Sequence, residues 1–289
     1  MPANKIKPML AKDGVTAVND KSMIWQSKYD GARALAFVNG SSVELQARSG
    51  TNKTDTFPEL RVQTRLPAVV DGEIVPANGE SFQDGIQTRI NTSNSSKISL
   101  LQKTHPAKYM VFDVLEIDGK SVEHLPLMNR IELLNQTLIV TNNVELAPWY
   151  DDGEALFAAA KAKQLEGIIG KARTGRYVRD ARGWVKVKCW QNDTFMVVGY
   201  TQGTGWRDNP DMFGALVLAD MKGVYRGQVG TGFVAGDYAD LHHLFSPSVC
   251  PFPREPEPAT WVKGFAIKVR FLEYSNDGIL RFPSFKGVV

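Results

Sequence analysis

The segment Trp25–Arg33, which reads WQSKYDGAR, holds residues that could carry out nucleophilic chemistry. Lys28 is followed by an aromatic residue, Asp30 and Gly31, and an apolar run begins just after the segment. A lysine side chain becomes a nucleophile when burial or neighbouring cations keep part of it neutral. Gly31 permits a turn at positive φ or a close approach to a ligand. Taken alone, however, a KxDG sequence is more often a surface turn.

Further charged residues stand in or beside strand-like runs downstream. Lys186 and Lys188 share one strand face, because alternate residues of a strand point the same way. The alternatives are an amphipathic edge strand with solvated lysines and, for Glu166, a surface position at a helix end. Several charges converging on one sheet would be unfavourable unless they bind a charged ligand. The residues are Arg48 in LQARSG, Glu73 in VVDGEIV, Asp113 in MVFDVL, Glu166 and Lys171 in LEGIIGK, and Lys186 and Lys188 in WVKVK.

The elements that must position these residues are mostly strands. Asn39-Gly40 between two apolar runs predicts a hairpin. Apolar spacing predicts helices at 127–140 and 154–165, and the polar tract 91–99 is interpreted as a surface loop. The mixture indicates an α+β domain built on antiparallel sheets. The predicted strands are Ala34–Val38, Val43–Ala47, Val69–Val75, Tyr109–Leu115, Gly167–Lys171 and Trp184–Cys189.

After Trp190 the pattern changes to short strands separated by Gly-rich turns, with one helical stretch at 237–245. About five strands and one helix in roughly 100 residues indicate a small β-barrel of the oligonucleotide-binding (OB) type. We therefore predict two domains, residues 1–190 and 191–289. The predicted barrel strands are Phe195–Tyr200, Ala215–Leu218, Val224–Val229 and Phe265–Phe271, with residues 251–258 as an extended loop.

Composition limits the classes of function. The 289 residues carry a net charge of only +3, so nucleic-acid binding must come from local clusters. Cys189 and Cys250 lack the spacing of a zinc site or a disulfide framework. No apolar run reaches the roughly 18 residues of a membrane span. The first residues lack the apolar stretch of a signal peptide, so we expect a cytoplasmic protein.

Six motifs in order, KYDGAR, LQARSG, VVDGEIV, VFDVL, EGIIGK and WVKVK, resemble those of covalent nucleotidyltransferases and, more narrowly, of ATP-dependent DNA ligases. PMLA, DTFPEL, PLMNR and the terminal LRFPSFKG extend the similarity to bacterial repair-type ligase modules, over nearly the whole chain. The resemblance implies a nucleotidyltransferase (adenylation) domain and an OB-fold domain. It further implies a monomeric enzyme that uses ATP and Mg²⁺, with Mn²⁺ as a substitute. Such an enzyme seals 5′-phosphate/3′-hydroxyl nicks in double-stranded DNA through lysyl-AMP and DNA-adenylate.

The resemblance also assigns roles by position. Lys28 resembles the nucleophile that takes AMP, and Phe112 the aromatic residue that stacks on adenine. Glu166 and Glu73 match the metal-linked acids, Glu73 also lying near the ribose. Gln26 stands where related ligases often carry a glutamate, and its amide oxygen could still accept from the adenine amino group. Catalytic roles also fall on Lys186, Lys188 and Arg281, and nucleotide contacts on Ser27, Arg33, Arg48, Lys171, Lys186, Lys188 and Lys286.

A local basic cluster supports DNA contact. The segment 171–188 contains seven Lys or Arg and one acid, with Tyr177 and Trp184 interleaved. Basic residues of this kind bind phosphate without reading sequence. The alternative is a solvated loop between strands. The predicted DNA-binding residues are Arg33, Arg48, Arg173, Arg176, Arg179, Arg182, Lys263, Lys268 and Arg270.

Rival functions remain open at this point. RNA ligases and mRNA capping guanylyltransferases also use KxDG, although RFPSFKG and PLMNR favour a DNA ligase. A nick-binding or end-bridging module without catalysis is the rival from another class. Retention of Lys28, Glu166, Lys186 and Lys188 argues against that module.

Overall fold

Strands form most of the regular structure in both parts of the chain. The computed structural model describes residues 5–14, 18–203 and 212–289. The chain divides into two units, Met1–Lys188 and Cys189–Val289. The first unit holds strands β1 (Ala11–Asp13), β2 (Met23–Ser27), β3 (Ala32–Asn39), β4 (Ser42–Ala47), β5 (Gln63–Thr64), β6 (Ala68–Pro76), β7 (Ala107–Ile117), β8 (Lys120–Ser121), β9 (Leu138–Ile139), β10 (Val144–Leu146), β11 (Gly167–Ala172) and β12 (Trp184–Lys188). Its helices are α1 (Ile86–Ile90), α2 (Ser95–Thr104), α3 (Leu127–Thr137) and α4 (Gly153–Ala162).

Two sheets position the motif residues of the first unit. One runs in the order β1-β12-β11-β2, and the other in the order β10-β7-β6-β3-β4 with β8 beside β7. The expectation that the charged motif residues share one sheet is therefore wrong. Both sheets are mainly antiparallel, but β1 pairs with β12 and β10 pairs with β7 in parallel.

The hairpin prediction at Asn39-Gly40 is confirmed. Strands β3 and β4 pair in register from Ala34 opposite Ala47 to Asn39 opposite Ser42. Gly40 adopts a φ of 59° in the turn, a conformation that favours glycine. Apolar residues on the inner face of these strands enter a large core that also includes residues of β6 and β7.

The polar tract at 91–99 is a loop only in its first part, so that prediction is wrong from Ser95 onward. Helix α2 begins at Ser95, and the Asn94 side chain caps it by accepting a hydrogen bond from the Lys97 amide. Ile98 and Leu101 are buried on its inner face. The helix predicted at 127–140 ends at Thr137, where the chain turns into strand β9.

The second unit contains β13 (Gln191–Thr201), β14 (Ala215–Ala219), β15 (Tyr225–Val229), α5 (Ala235–His242), β16 (Thr260–Phe271) and β17 (Ser284–Val288). The strands form an antiparallel sheet in the order β15-β14-β13-β16-β17. Five strands and one helix match the predicted OB-type domain. Residues 251–258 contain no helix or strand, as expected for the extended loop.

Candidate active site

A cavity of about 300 Å³ in the first unit brings together residues from both sheets. Strands β2, β11 and β12 contribute from one sheet, and strands β3, β6 and β7 from the other. Motif residues as far apart in the sequence as Lys28 and Lys186 thus line one cavity, which we call the nucleotide pocket. The predicted site residues that line it are Gln26, Ser27, Lys28, Arg33, Arg48, Glu73, Phe112, Lys171, Arg182 and Lys186.

Lys28 follows directly after β2 and is fixed against β11. Its backbone amide donates to the Gly167 carbonyl at 2.9 Å. Gly167 has a φ of 148°, and a Cβ there would lie 2.1 Å from the Val187 carbonyl oxygen. Only glycine fits this close approach between β11 and β12. The glycine of the EGIIGK motif therefore keeps Lys28 beside Glu166.

The Lys28 amine forms an ion pair with the Glu166 carboxylate. Lys188 Nζ lies 3.4 Å from the other oxygen of the same carboxylate. The group that contacts the Lys28 amine is thus a carboxylate, which Lys28 shares with the cation Lys188. Lys186, on the same strand as Lys188, pairs instead with Asp13 of β1 at 3.2 Å.

Gly31 serves a close approach of backbone and not a turn at positive φ. A Cβ at this position would lie 2.4 Å from the Ile74 carbonyl oxygen and 2.8 Å from Glu73 Cγ. The motif glycine therefore lets the start of β3 pack onto β6, which brings Arg33 opposite Glu73 in the sheet.

Arg33 is held by a carboxylate that the sequence analysis did not single out. Its Nε and Nη2 donate to the two oxygens of Asp71 at 2.5 and 2.6 Å, and Nη2 also donates to the Met9 carbonyl. Asp71 is fully buried, and it also accepts from the Tyr177 hydroxyl at 2.6 Å. Burial lowers and Asp71 raises the pKa of Arg33, and the net shift is upward. Three of its five N–H donors are thus engaged within the protein.

Glu73 lines the pocket between cations. Burial raises its pKa to about 7, and the nearby Arg33 and Lys28 only partly oppose this shift. A carboxyl with this pKa gains or loses its proton near neutral pH. Its charge therefore depends on the charge of the ligand in the pocket.

Phe112 and Lys171 form an aromatic and cationic corner of the pocket. Lys171 Nζ lies 4.2 Å from the ring centroids of both Phe112 and Trp184, and the Trp184 ring meets Phe112 edge-on at 5.8 Å. Lys171 Nζ is buried without a hydrogen-bond acceptor. Burial lowers the pKa of Lys171 to about 7.

Gln26 is buried in the pocket wall with its amide oriented. Its Nε2 donates to the Ala147 carbonyl at 3.1 Å. The amide oxygen is therefore the end of this pocket-lining side chain that can accept a hydrogen bond from a ligand.

Family models match both parts of the chain. An ATP dependent DNA ligase domain covers residues 3–188, and an ATP dependent DNA ligase C terminal region covers residues 209–288. The chain belongs to the ATP-dependent DNA ligase family. The chain is also similar to a SPbeta prophage-derived DNA ligase-like protein, LigB, of Bacillus subtilis, with 30% identity over 68% of this chain and 72% of the relative.

Longer members of the ligase family match as well. The multifunctional non-homologous end joining DNA repair protein LigD of Mycobacterium tuberculosis is 28% identical over 99% of this chain. The chain spans only 38% of that relative's length. The crystal structure of the ligase domain from M. tuberculosis LigD shares 26% identity, with a TM-score of 0.53 and coverage of 98% of this chain and 95% of that one. A Lig E DNA ligase structure has a TM-score of 0.69 at 18% identity, with 98% of each chain covered, which indicates a shared fold.

Two motifs that strengthened the resemblance to ligases have a structural role. Arg130 of PLMNR donates to both oxygens of buried Asp113, at 2.7 and 2.9 Å. Glu59 of DTFPEL pairs with Arg89, which is also buried. These ion pairs join segments distant in sequence and do not line the pocket.

Several residues of the basic segment 171–188 are buried or form ion pairs within the protein. The two aromatic residues of the segment, Tyr177 and Trp184, are buried, so their rings are not exposed for stacking on DNA bases. Arg173 pairs with Asp151, and Arg179 donates to both oxygens of Glu123 at 2.8 and 3.0 Å. Arg176 is exposed, and Arg182 lines the nucleotide pocket.

The remaining predicted residues belong to the second unit. Lys263 and Lys268 are exposed on β16, and Arg270 lies over the Trp190 ring at 4.5 Å. Arg281 pairs with Glu273, and Lys286 is exposed on β17. Phe285 is buried in the barrel core, whereas Phe282 is 56% exposed. Only one of the two phenylalanines of the terminal LRFPSFKG stretch therefore packs in the barrel core.

The carboxylates of the ligase site fit a magnesium ion only with help from a substrate. In the part of the chain that the structure describes, no cluster of three or more His, Cys, Asp or Glu residues could hold a metal. Mg²⁺ commonly takes one or two carboxylates together with phosphates and waters. Glu166 and Glu73 match that requirement, since Glu166 contacts Lys28 and Glu73 lines the same pocket as Lys28.

Sequence reasoning missed several residues around the pocket. Leu10 and Ala11 line it, and Tyr29 has a pKa raised to about 12 by burial. Asp71 and Tyr177 act behind the pocket through Arg33. Leu10 and Ala11 lie in PMLA and Asp71 in VVDGEIV, so the motifs drew attention to the right segments without indicating these contacts.

No helix among the described residues has the length and apolarity to cross a membrane.

Proposed function

We propose that this chain seals 5′-phosphate/3′-hydroxyl nicks in duplex DNA with ATP, through a lysyl-AMP intermediate. The observation that carries the proposal is the placement of Lys28 in the nucleotide pocket, in contact with a Glu166 carboxylate that it shares with Lys188. The similar proteins LigD and the DNA ligase-like protein LigB support the same activity.

In the first step, the Lys28 amine attacks the α-phosphorus of ATP. An N–P bond forms, the P–O bond to pyrophosphate breaks, and the amine loses a proton. Lys186 and Lys188 stabilise negative charge on the phosphates, and transfers of this kind depend chiefly on positioning and electrostatics. The Glu166 carboxylate contacts the Lys28 amine, so this carboxylate must engage another cation when the amine attacks.

Glu166 and Glu73 would hold Mg²⁺, or Mn²⁺ in its place, together with phosphate oxygens. Such an ion neutralises charge on the phosphates. The protein contributes the two carboxylates and keeps them within reach of the nucleophile, through the Gly167 and Gly31 approaches described above.

In the second step, an oxygen of the DNA 5′-phosphate attacks the AMP phosphorus, and the N–P bond breaks to restore the lysine amine. In the third step, the 3′-hydroxyl attacks the 5′-phosphate, the phosphodiester bond forms, and AMP leaves. We propose that Arg48, Arg176 and Arg182 contact the DNA strands, because they are exposed in the first unit. Exposed Lys263 and Lys268 would contribute from the OB-fold unit.

Base selection follows from Gln26 and Phe112. The Gln26 amide oxygen accepts from the 6-amino group of adenine, while the 6-oxo group of guanine offers no donor there. The Phe112 ring supplies stacking. We further propose that the protein acts as a monomer.

Incubation of the protein with ATP labelled at the α-phosphate, followed by a nicked duplex, tests the proposal. We expect acid-labile label on Lys28, transfer of that label to the DNA 5′-phosphate, and a sealed product. Label on the protein without sealing of DNA would favour an RNA ligase or capping enzyme. No label at all would favour a binding module without catalysis.

A further inference from the structure

A second cavity, of about 360 Å³, lies in the first unit and shares Leu10 and Arg48 with the nucleotide pocket. Its wall includes Lys5, Lys7 and the Ser49-Gly50 turn after β4. We call this cavity the basic groove. Lys5 and Lys7 belong to none of the ligase motifs, and the reaction derived above does not use them.

Buried hydrogen bonds fix the backbone that carries these lysines. The Gln46 side chain, buried in β4, accepts from the Ile6 amide at 3.2 Å and donates to the Ile6 carbonyl at 2.7 Å. Gly50 has a φ of 83°, and a Cβ there would lie 2.9 Å from Lys5 Cδ. The Lys5 stem therefore lies across the glycine turn. A side chain at that turn would displace it.

The next residues along the same segment are fixed equally well. The Met9 amide donates to the Tyr177 hydroxyl at 3.0 Å, and the Met9 carbonyl accepts from Arg33 at 3.2 Å. Asp71 binds both Tyr177 and Arg33. Lys7 thus stands between two anchored residues, Ile6 and Met9, and the groove is preformed.

The charge of the groove indicates its ligand. Lys5, Lys7 and Arg48 stand against one carboxylate, Asp180, whose oxygen lies 3.0 Å from Lys7 Nζ. Both members of that pair are well exposed, and exposed ion pairs contribute little to stability. A phosphate can therefore replace Asp180 at Lys7 at little cost. The Ser49 hydroxyl adds a neutral hydrogen-bonding group.

We propose that the basic groove binds the phosphodiester backbone of the nicked strand next to the nucleotide pocket, with Lys5, Lys7 and Arg48 as its cations. The inference rests on the proposed DNA-sealing function. The 5′-phosphate must reach AMP on Lys28, so neighbouring phosphates of the DNA lie beside that pocket. Arg48 lines both cavities and joins the two sites.

The double variant Lys5→Ser with Lys7→Ser tests the groove. Its matched control is Lys97→Ser with Lys103→Ser, which removes two exposed lysines from α2. Binding of a nicked duplex is measured by fluorescence anisotropy over a range of salt concentrations, and self-adenylylation is measured with labelled ATP. Each lysine that contacts phosphate contributes about 0.9 to the slope of log affinity against log salt.

We expect the groove variant to bind nicked DNA roughly tenfold more weakly and to lose about 1.8 from the salt slope. Its self-adenylylation and the DNA binding of the control should match the parent. An unchanged slope and affinity in the groove variant would overturn the inference, even if the parent seals nicks. A raised KM for ATP with unchanged DNA binding would also overturn it, by assigning the groove to the nucleotide phosphates. A parent that forms no lysyl-AMP would instead contradict the proposed function.

Discussion

The cores of the two units of the chain differ in composition. In the first unit, buried positions include charged residues: Asp71, Arg89, Asp113, Arg130 and Lys171. In the described part of the second unit, no charged residue is buried, and the core consists of aliphatic and aromatic side chains. Its aromatic rings contact one another, as in the stacked pair Phe233 and Phe285, with centroids 4.8 Å apart.

The difference shows where conformational precision is located. Apolar packing is tolerant of small changes and non-directional, whereas a buried bidentate ion pair fixes the relative position of two segments. Such pairs contribute little net stability but are strongly destabilising when one partner is removed. The first unit uses them to join motifs that are distant in sequence, and the nucleotide pocket lies among them.

The largest expected effect concerns the pocket itself. Lys28→Ala removes the nucleophile, so self-adenylylation should fall by at least about 10³-fold. Sealing of a pre-adenylylated nick should be partly retained, because Lys28 is needed as nucleophile only while AMP is being loaded. Lys21→Ala, which changes an exposed lysine near β2, is the control. An acid-labile adduct on lysine in the Lys28→Ala protein would place the nucleophile elsewhere.

The contrast between the two cores predicts that substitutions of buried residues lower the free energy of unfolding by different amounts in the two units. Arg130→Met leaves Asp113 buried without its partner, which should destabilise the first unit by about 3–5 kcal/mol. Ile267→Val, at a fully buried position in the second unit, should cost only about 0.5–1.5 kcal/mol.

Calorimetric unfolding of each variant gives the shift of the corresponding transition. Addition of Asp113→Asn to Arg130→Met should recover part of the loss, because the uncompensated charge is removed. Equal shifts for the two single variants would remove the distinction between the cores.

The OB-fold unit should matter for loading AMP. Arg281 and Lys286 lie in the stretch that resembles the last ligase motif, where they would act on the pyrophosphate of ATP. Arg281→Ala with Lys286→Ala should lower self-adenylylation by about 10²-fold, the scale for loss of an electrostatic group at a transition state. Sealing of a pre-adenylylated nick should fall much less. A chain that ends near Trp190 should lose both activities, since it also lacks the DNA contacts that we propose for the OB-fold unit.

The control is Lys222→Ala with Arg254→Ala, two exposed residues of the same unit. Near-normal adenylylation in the first double variant at an unchanged melting temperature would contradict the role. That result would assign the terminal stretch to packing of the barrel alone, consistent with buried Phe285.

Base recognition should show an intermediate effect. Phe112→Ala removes a stacking partner worth about 1–3 kcal/mol. We expect this loss to appear mainly as a higher KM for ATP and much less as a lower melting temperature. Gln26 should make ATP a better substrate than GTP, and labelling of the protein with each nucleotide measures this preference. Equal labelling by ATP and GTP would show that the Gln26 amide does not discriminate.

Much of this arrangement could be predicted from the sequence. Short apolar runs predicted β3, β4, β6 and β7, and the motifs contain most of the residues that line the nucleotide pocket. The contacts of Arg33 and Tyr177 with Asp71 were not predicted, because Asp71 lies 38 and 106 residues away from them and no local signal marks the pairing. Helix α2 was missed because its cap sequence is rich in Ser and Asn, residues that also favour loops. Local pattern predicts strands well, whereas the pairing of buried charges depends on the three-dimensional fold.

The smallest expected effect concerns whether burial of the Lys171 amine destabilises the folded first unit. Burial lowers its pKa to about 7, below the ordinary value of 10.5. Between these two values the unfolded chain binds a proton that the folded chain does not, so stability rises with pH across this window. The slope is at most about 1.4 kcal/mol per pH unit. Lys171→Met removes the titrating amine. The free energy of unfolding of this variant should therefore exceed that of the parent most near pH 7, and the difference should shrink toward pH 9. Urea unfolding at pH 7, 8 and 9, with exposed Lys103→Met as control, measures the trend. A difference between Lys171→Met and the parent that does not change with pH would mean that the amine stays charged in the fold, held by the Phe112 and Trp184 rings at 4.2 Å.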